Sequence, residues 1–151
     1  MRTRVFIDGA CSGNPGSGGW AAVIFLLEGR IVLTGHEKST TNNRMELMAA
    51  VEALKTAIKV KAIKVDVYSD SAYVVNAIKN KWVKKWSNNG WKTVHHEDIK
   101  NKDLWLQILS LLNFLHDVNF IKVKGHTGDI NNEMVDRMAK REATQYIDNV
   151  V

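Results

Sequence analysis

The chain has 151 residues, 45% of them apolar and 25% charged, and this composition is typical of a single soluble globular domain. Twenty-one lysines and arginines against sixteen acidic residues give a net charge of +5, which favours a polyanionic partner. The single cysteine, Cys11, excludes an internal disulfide and a cysteine zinc site, and it fits a reducing, cytoplasmic compartment. The longest apolar run, residues 20–27, is far shorter than the roughly 20 residues of a membrane span.

The first half of the chain predicts a meander of strands followed by a helix. Residues 5–7 are apolar on both faces and predict a buried strand that ends at Asp8. Residues 9–19 hold five of the ten glycines and the only proline, which predicts a loop. Residues 20–27 and 31–35 flank a Glu-Gly-Arg turn and predict a hairpin. Apolar residues then recur at helical spacing over residues 47–58, and Asn43 with Glu46 three residues later resembles a helix start.

The second half of the chain alternates strands and helices. Ile63, Val65 and Val67 alternate in a strand that ends at Asp70, a short helix follows over residues 72–78, and residues 118–123 predict another strand. Two longer helices are marked by helical spacing of apolar residues over 104–115 and 135–143. The order βββαβαβα predicts an α/β layered fold, and the length predicts a single domain of residues 1–151.

Four acidic residues lie at the rims of the predicted buried elements. Asp8 and Asp70 each end an apolar strand, and sites form beyond the carboxyl ends of parallel strands. Glu46 lies beside the buried stripe in the first helical turn, and Asp136 adjoins the apolar face of the last helix. Converging carboxylates repel one another unless a divalent cation lies between them, and Mg²⁺ prefers such ligands. Taken one by one, these acids are better explained as turn, cap or solvated residues.

Five segments of the chain, taken together and in order from about Arg4 to Ala143, resemble bacterial type 1 ribonuclease H. They are Ile7-Asp8-Gly9-Ala10-Cys11-Ser12-Gly13-Asn14-Pro15-Gly16, Thr41-Asn42-Asn43-Arg44-Met45-Glu46-Leu47, Tyr68-Ser69-Asp70-Ser71-Ala72-Tyr73-Val74, Lys124-Gly125-His126-Thr127-Gly128 and Asn132-Glu133-Met134-Val135-Asp136-Arg137-Met138-Ala139. The resemblance implies a ribonuclease H-like fold: a five-stranded mixed sheet of order 3-2-1-4-5, with the first three strands antiparallel, flanked by helices.

The resemblance also implies a reaction and a set of catalytic residues. The reaction is hydrolysis of the RNA strand of an RNA–DNA hybrid, which leaves 5′-phosphate and 3′-hydroxyl ends. Asp8, Glu46, Asp70 and Asp136 would hold two Mg²⁺ ions, with Mn²⁺ as a substitute, an arrangement suited to activating water and stabilising the leaving oxygen. His126 resembles the family's assisting histidine, and an imidazole pKa of about 6.5 suits proton transfer.

The same resemblance implies where nucleic acid binds. Candidate contacts are Cys11 and Asn14 in the glycine-rich segment, Thr41, Asn42 and Asn43 before the first helix, and Asn101, which with Thr41 matches a pocket for a DNA phosphate. The glycine-rich segment lacks the Gly-Lys-Ser/Thr ending of a P-loop. Two positions depart from the family: Ser39 stands where an arginine often contributes to the phosphate pocket, and Ala72 where a longer side chain often touches RNA.

Residues of about 79–94 form a segment rich in lysine and tryptophan. No acidic residue lies between Asp70 and Glu97, a window with five lysines and three of the five tryptophans. The segment resembles the family's basic protrusion, which implies contacts with the DNA strand from Trp82, Lys84, Lys85 and Trp86, because lysines between aromatic rings suit a nucleic-acid backbone. The alternative is a small hydrophobic patch, since Trp82 and Trp86 are four residues apart on a predicted helix.

Three other functions are weighed against a monomeric, metal-dependent endoribonuclease. A binding module that holds hybrids or duplex RNA without cutting them would lack one of the four acids, and all four are present. A protein that binds membrane surfaces through the lysine–tryptophan segment leaves the acids unexplained. An integrase-like core acting on DNA ends fits neither that segment nor the histidine loop.

Overall fold

The computed structural model describes residues 2–125 and 129–145, which form one five-stranded sheet in the order β3-β2-β1-β4-β5. Strands β1 (Thr3–Gly13), β2 (Gly16–Leu26) and β3 (Gly29–Thr40) make an antiparallel meander. Strand β4 (Lys64–Ser69) pairs in parallel with β1, and β5 (Asp117–Lys122) pairs in parallel with β4. The predicted fold class and strand order are confirmed.

Five helices flank the sheet within the described ranges: α1 (Asn42–Lys59), α2 (Ala72–Lys79), α3 (Trp82–Asn88), α4 (Lys102–Leu115) and α5 (Ile130–Ala143). Three of them, α2 to α4, lie between β4 and β5, so the lysine–tryptophan segment contributes a short helix of its own. Of the helices in this part of the chain, none has both the length and the apolar character needed to cross a membrane.

The core lies on both faces of the sheet. On β1, Val5 and Ile7 are fully buried in the larger cluster with α1, whereas Phe6 packs in a second cluster with Val135 and Ala139 of α5. This follows from the alternation of side chains along a strand. Since burial of each such side chain contributes about 1.5–3 kcal/mol, α1 and α5 are held firmly on opposite faces of the same strand.

The predicted loop over residues 9–19 is wrong. Strand β1 continues to Gly13 and β2 begins at Gly16, which leaves only two residues for the turn. The glycines are places where helices approach the strands: a β-carbon on Gly18 would press into Met45 of α1, and one on Gly19 would overlap the backbone of α5. Sequence patterns count glycine as a loop signal, whereas here its missing side chain makes room for two helices.

Three local predictions also need correction. Asp8 does not end its strand, because it lies within β1 and pairs with Ala21. Ile63 lies outside β4 and is 77% exposed. Helix α1 is capped by Thr41, whose hydroxyl accepts a hydrogen bond from the Arg44 amide at 3.2 Å, so Asn43 is not the cap. Glu46 therefore lies in the second turn of α1, where it faces the core instead of capping the helix.

Candidate active site

The strand register places Asp8 beside Asp70. The last parallel pair of β1 and β4 is Phe6 with Tyr68, whose rings stack with centroids 4.7 Å apart. Each aspartate follows its aromatic residue by two positions, so the two carboxylates are on the same face of the sheet, where the strands separate. Asp70 comes directly after β4, as predicted.

Glu46 joins the two aspartates because α1 lies very close to β1. A β-carbon on Gly9 would overlap the backbone of Met45 and Glu46, so only glycine permits this contact. Carboxylate oxygens of Asp8, Glu46 and Asp70 lie within 4.8 Å of one another. Three acids that are far apart in the sequence thus form one compact cluster.

Two oxygens of this cluster are buried without a hydrogen-bond partner among the described residues, Asp8 Oδ2 and Glu46 Oε2. The other Asp8 oxygen accepts a bond from the Gly9 amide at 2.9 Å. Both oxygens belong to residues that are only 2% exposed. A buried oxygen without a partner costs free energy of folding, and coordination of a hard divalent cation would give these oxygens a partner. The donor set therefore fits a metal ion.

The electrostatics of the cluster agree with this interpretation. Burial, together with the negative charge of Asp70, raises the pKa of Asp8 to about 8. Burial and the charge of Asp8 likewise raise the pKa of Glu46 well above its ordinary value. In the metal-free protein these carboxyls hold protons that a bound cation would displace.

Asp136 lines the same cleft, which has a volume of about 630 Å³, and its side chain is close enough to Asp8 to help raise the pKa of that carboxyl. It is half-buried in the second turn of α5, a helix capped by Asp129, and pairs with Lys140 at 3.0 Å. Asp136 is not among the three acids whose oxygens all lie within 4.8 Å of one another, but it adjoins Asp8 at the edge of that cluster. The sequence analysis did not identify Lys140 as a partner of Asp136, although the i, i+4 spacing of the two residues is typical of a helical ion pair.

The predicted nucleic-acid contacts divide between the cleft and its surroundings. Cys11, Asn42 and Asn43 line the cleft, and so does Ala72, whose short side chain leaves space there. The Cys11 thiol donates weakly to two carbonyls of the hairpin, and burial raises its pKa. Asn14 is exposed at the hairpin turn, outside the cleft lining.

The predicted phosphate pocket contains partners that sequence reasoning missed. Asn101 precedes α4 with left-handed backbone, and its Oδ1 accepts a bond from Arg44 at 3.3 Å. Arg44 also makes two bonds to the Asp103 carboxylate, at 2.5 and 3.0 Å. Tyr73 accepts a bond from the Asn101 amide. Because 57 residues separate Arg44 from Asn101, no local sequence pattern indicates this network.

The lysine–tryptophan segment presents both of the predicted characters. Lys84 and Lys85 are exposed on α3, and Trp82 is 38% exposed. Trp86 instead packs edge-on against Trp105 of α4, with ring centroids 5.9 Å apart. The hydrophobic-patch alternative therefore describes Trp86, whereas the two lysines and Trp82 are open to a ligand.

His126 lies outside the described residues. Its neighbour Gly125 is described, and a β-carbon there would lie 3.3 Å from Asp70 Oδ2. Gly125, the residue before His126, therefore lies directly beside the acidic cluster.

Known proteins resemble this chain over nearly its whole length. The RNase H family model matches residues 1–144. The Ribonuclease H of Prosthecochloris aestuarii is 50% identical over 143 residues, which cover 93% of this chain and 96% of that protein. The crystal structure of LC9-RNase H1, a type 1 RNase H with the type 2 active-site motif, is 32% identical, with a TM-score of 0.79 over 93% of this chain and 71% of that one.

A more distant structure shares the fold alone. LC11-RNase H1 in complex with an RNA/DNA hybrid is 18% identical, with a TM-score of 0.69, and the match covers 93% of this chain and 98% of that one. The family match and the closer relatives show that the chain belongs to the ribonuclease H family, in its type 1 branch. These are the metal-dependent endonucleases that hydrolyse the RNA strand of RNA–DNA hybrids.

Proposed function

We propose that the cleft performs this hydrolysis with two Mg²⁺ ions, held by Asp8, Glu46, Asp70 and Asp136, with Mn²⁺ as a substitute. The observation that carries the proposal is the cluster of Asp8, Glu46 and Asp70, with carboxylate oxygens within 4.8 Å of one another; Asp8 Oδ2 and Glu46 Oε2 are also buried with no hydrogen-bond partner among the described residues. Mg²⁺ prefers carboxylate and water ligands and keeps open positions for a phosphate. When bound, the two ions supply activation of the attacking water and stabilisation of the leaving 3′-oxygen.

The chain's own residues position the substrate and handle protons. Asp8 and Glu46 are rigid because their backbones belong to β1 and α1, which are packed together at Gly9. His126 carries protons between solvent and the reacting phosphate, since its ordinary pKa of about 6.5 lets it both accept and donate near neutral pH. Cleavage at the 3′-oxygen leaves a 5′-phosphate and a 3′-hydroxyl.

The hybrid lies across the cleft, with its RNA strand on the acidic cluster. Cys11, Asn14, Asn42 and Asn43 are placed to contact that strand, where the 2′-hydroxyl distinguishes RNA from DNA. On the DNA side, Thr41 and Asn101 bind a phosphate. Position 39 is a serine, so no arginine contributes to the contact there. Further along the DNA backbone, the strand is bound by the exposed Trp82, Lys84 and Lys85, with Trp86 behind them. The hybrid complex of LC11-RNase H1 supports this substrate for the shared fold.

We also propose that the protein acts as a monomer in the cytoplasm, as one catalytic domain of residues 1–151 with a basic protrusion at about 79–94. All four proposed ligands come from one chain, so the site needs no second copy. A single cysteine suits a reducing compartment.

One experiment tests the proposed function directly. An RNA–DNA hybrid with labelled RNA is incubated with the protein, with and without Mg²⁺, beside single-stranded RNA, duplex RNA and duplex DNA. We expect cleavage of the hybrid's RNA only, dependent on Mg²⁺, with 5′-phosphate ends. Tight binding of the hybrid without cleavage would favour the alternative of a non-catalytic binding module.

A further inference from the structure

Tyr73 lines the cleft, and the proposed function gives its hydroxyl no role. Tyr73 lies in the first turn of α2, three residues after Asp70, and is half-buried in the cleft wall. Its ring packs edge-on against Trp105, with centroids 5.6 Å apart, so the position of the hydroxyl is fixed by the core of the protein.

Two donors already use this hydroxyl as an acceptor. The Trp105 indole Nε1 donates to it at 2.9 Å, and the Asn101 amide nitrogen lies 3.4 Å away. The orientation of that amide is set by chemistry: Arg44 has only donors, and one of them bonds Asn101 Oδ1 at 3.3 Å, so the amide nitrogen must face Tyr73.

These two donors use only part of the hydrogen-bonding capacity of the Tyr73 hydroxyl. A phenol offers two lone pairs and one hydrogen, and the two donors occupy both lone pairs. The phenolic hydrogen has no acceptor in residues 2–125 and 129–145. Beside it lie the Asn101 amide and the Arg44 guanidinium, whose charge is balanced by its two bonds to Asp103, so a ligand placed there meets chiefly hydrogen-bond donors.

We infer that the Tyr73 hydroxyl donates a hydrogen bond to a non-bridging oxygen of a phosphate in the DNA strand of the bound hybrid, next to the phosphate contact of Asn101. This inference rests on the proposed function, which supplies the hybrid and places the DNA strand on this side of the cleft. Because packing and two hydrogen bonds already orient the hydroxyl, little conformational freedom is lost when the substrate binds.

The test uses Tyr73→Phe, which removes the hydroxyl and keeps the ring. Dissociation constants for the hybrid are measured without divalent metal, and turnover with it. We expect affinity to fall about ten-fold, as for a hydrogen bond to a charged group, while kcat stays within about two-fold. Tyr68→Phe is the matched control, because Tyr68 stacks on Phe6 away from this pocket, and its affinity should equal that of the wild type.

A double-mutant cycle identifies the phosphate. Single neutral methylphosphonates are placed in turn along the DNA strand, and one position should weaken wild-type binding about ten-fold but hardly affect Tyr73→Phe. Tyr73→Phe should also weaken binding in an Asn101→Ala background, since the hydroxyl touches the phosphate itself. Unchanged affinity of Tyr73→Phe, coupling only to the RNA strand, or no further loss in the Asn101→Ala background would each overturn the inference. Failure of the proposed function is separate, since the wild type would then not cleave the hybrid.

Discussion

Gly9 and Glu46 are in backbone contact, although 37 positions separate them in the sequence. A β-carbon on Gly9 would overlap the amide nitrogen of Glu46 and lie 2.7 Å from the carbonyl carbon of Met45. Both sides of this contact are backbone, so no side-chain rotation can relieve a clash. The distance from Glu46 to the strand that carries Asp8 is thus set by the absence of a single methyl group.

Gly9→Ala should therefore damage the site and the fold together. The added methyl must push α1 away from β1, and overpacking of this kind costs about 1–3 kcal/mol of the free energy of unfolding. Denaturant unfolding measures that loss, and calorimetry should show weaker binding of Mg²⁺ or Mn²⁺. Gly29→Ala is the control: it sits in the β2–β3 turn at a φ of +148° with no neighbouring atom within 4 Å, so it should lower stability without changing metal affinity. Equal metal affinity in Gly9→Ala would contradict this account of Glu46.

Asp8→Asn and Asp70→Asn should each abolish cleavage and leave hybrid binding in place. An amide of the same shape keeps the packing but removes the negative charge that holds a cation. Gel-based cleavage with Mg²⁺ and fluorescence-based binding measure the two properties separately. Glu52→Gln, which removes a surface carboxyl of α1 that pairs with Lys55, should behave as the wild type in both assays. Substantial cleavage by both aspartate variants would refute the assignment of these residues as metal ligands.

The sequence predicts the architecture well because its signals are local and periodic. The apolar stripe over residues 47–58 marks α1, and alternation marks β4, but strand order came from the family resemblance, since spacing alone does not say which strands pair. The loop prediction failed at residues 9–19, where the glycines lie in strands that contact helices.

The candidate site was predictable only in part. The four acids were found by motif, but their burial and shared geometry depend on contacts between distant segments. Arg44 meets Asn101 across 57 positions, and Tyr73 meets Trp105 across 32, and neither pair has a local signature. Side chains that orient other side chains are therefore the part of a site that a single sequence conceals.

The stability of the metal-free protein should fall as pH rises towards 8. The pKa of Asp8 is about 8 in the folded state and about 4 when unfolded, so between these values only the folded state keeps the proton. A raised pKa of this kind gives stability that is complete below pH 4 and lost by pH 8, and Glu46 acts in the same direction.

Urea unfolding in EDTA at pH 5 and pH 8 measures this effect, with Asp8→Asn as the comparison. Because the amide does not ionise, Asp8→Asn should gain stability relative to the wild type as pH increases from 5 to 8. Added Mg²⁺ should reduce the difference by stabilising the ionised wild-type cluster. A difference between the two proteins that is the same at both pH values would mean that Asp8 titrates normally.

Lys84→Ala with Lys85→Ala should weaken hybrid binding more than turnover. Both lysines are exposed on α3, whereas Trp86→Ala would also remove the contact with Trp105. The double variant should reduce the slope of log affinity against log salt by about 1 to 2, one for each lost phosphate contact. Adding Trp86→Ala should weaken binding further.

The matched control is Lys55→Ala with Lys59→Ala, two exposed lysines at the far end of α1, which removes the same charge from another surface. Its salt slope should match that of the wild type. If both double variants change affinity equally, the segment attracts the hybrid only through the net charge of the protein.

His126→Ala should slow turnover about 100-fold without abolishing it, as expected when a group that transfers protons is removed and the acidic cluster remains. Its neighbour Gly125 lies beside Asp70. The wild-type pH–rate profile should show an inflection that the variant lacks. His95→Ala, which removes an exposed histidine from the segment between α3 and α4, should keep the inflection. Unaltered turnover in His126→Ala would assign that residue to the surface and leave proton transfer to solvent.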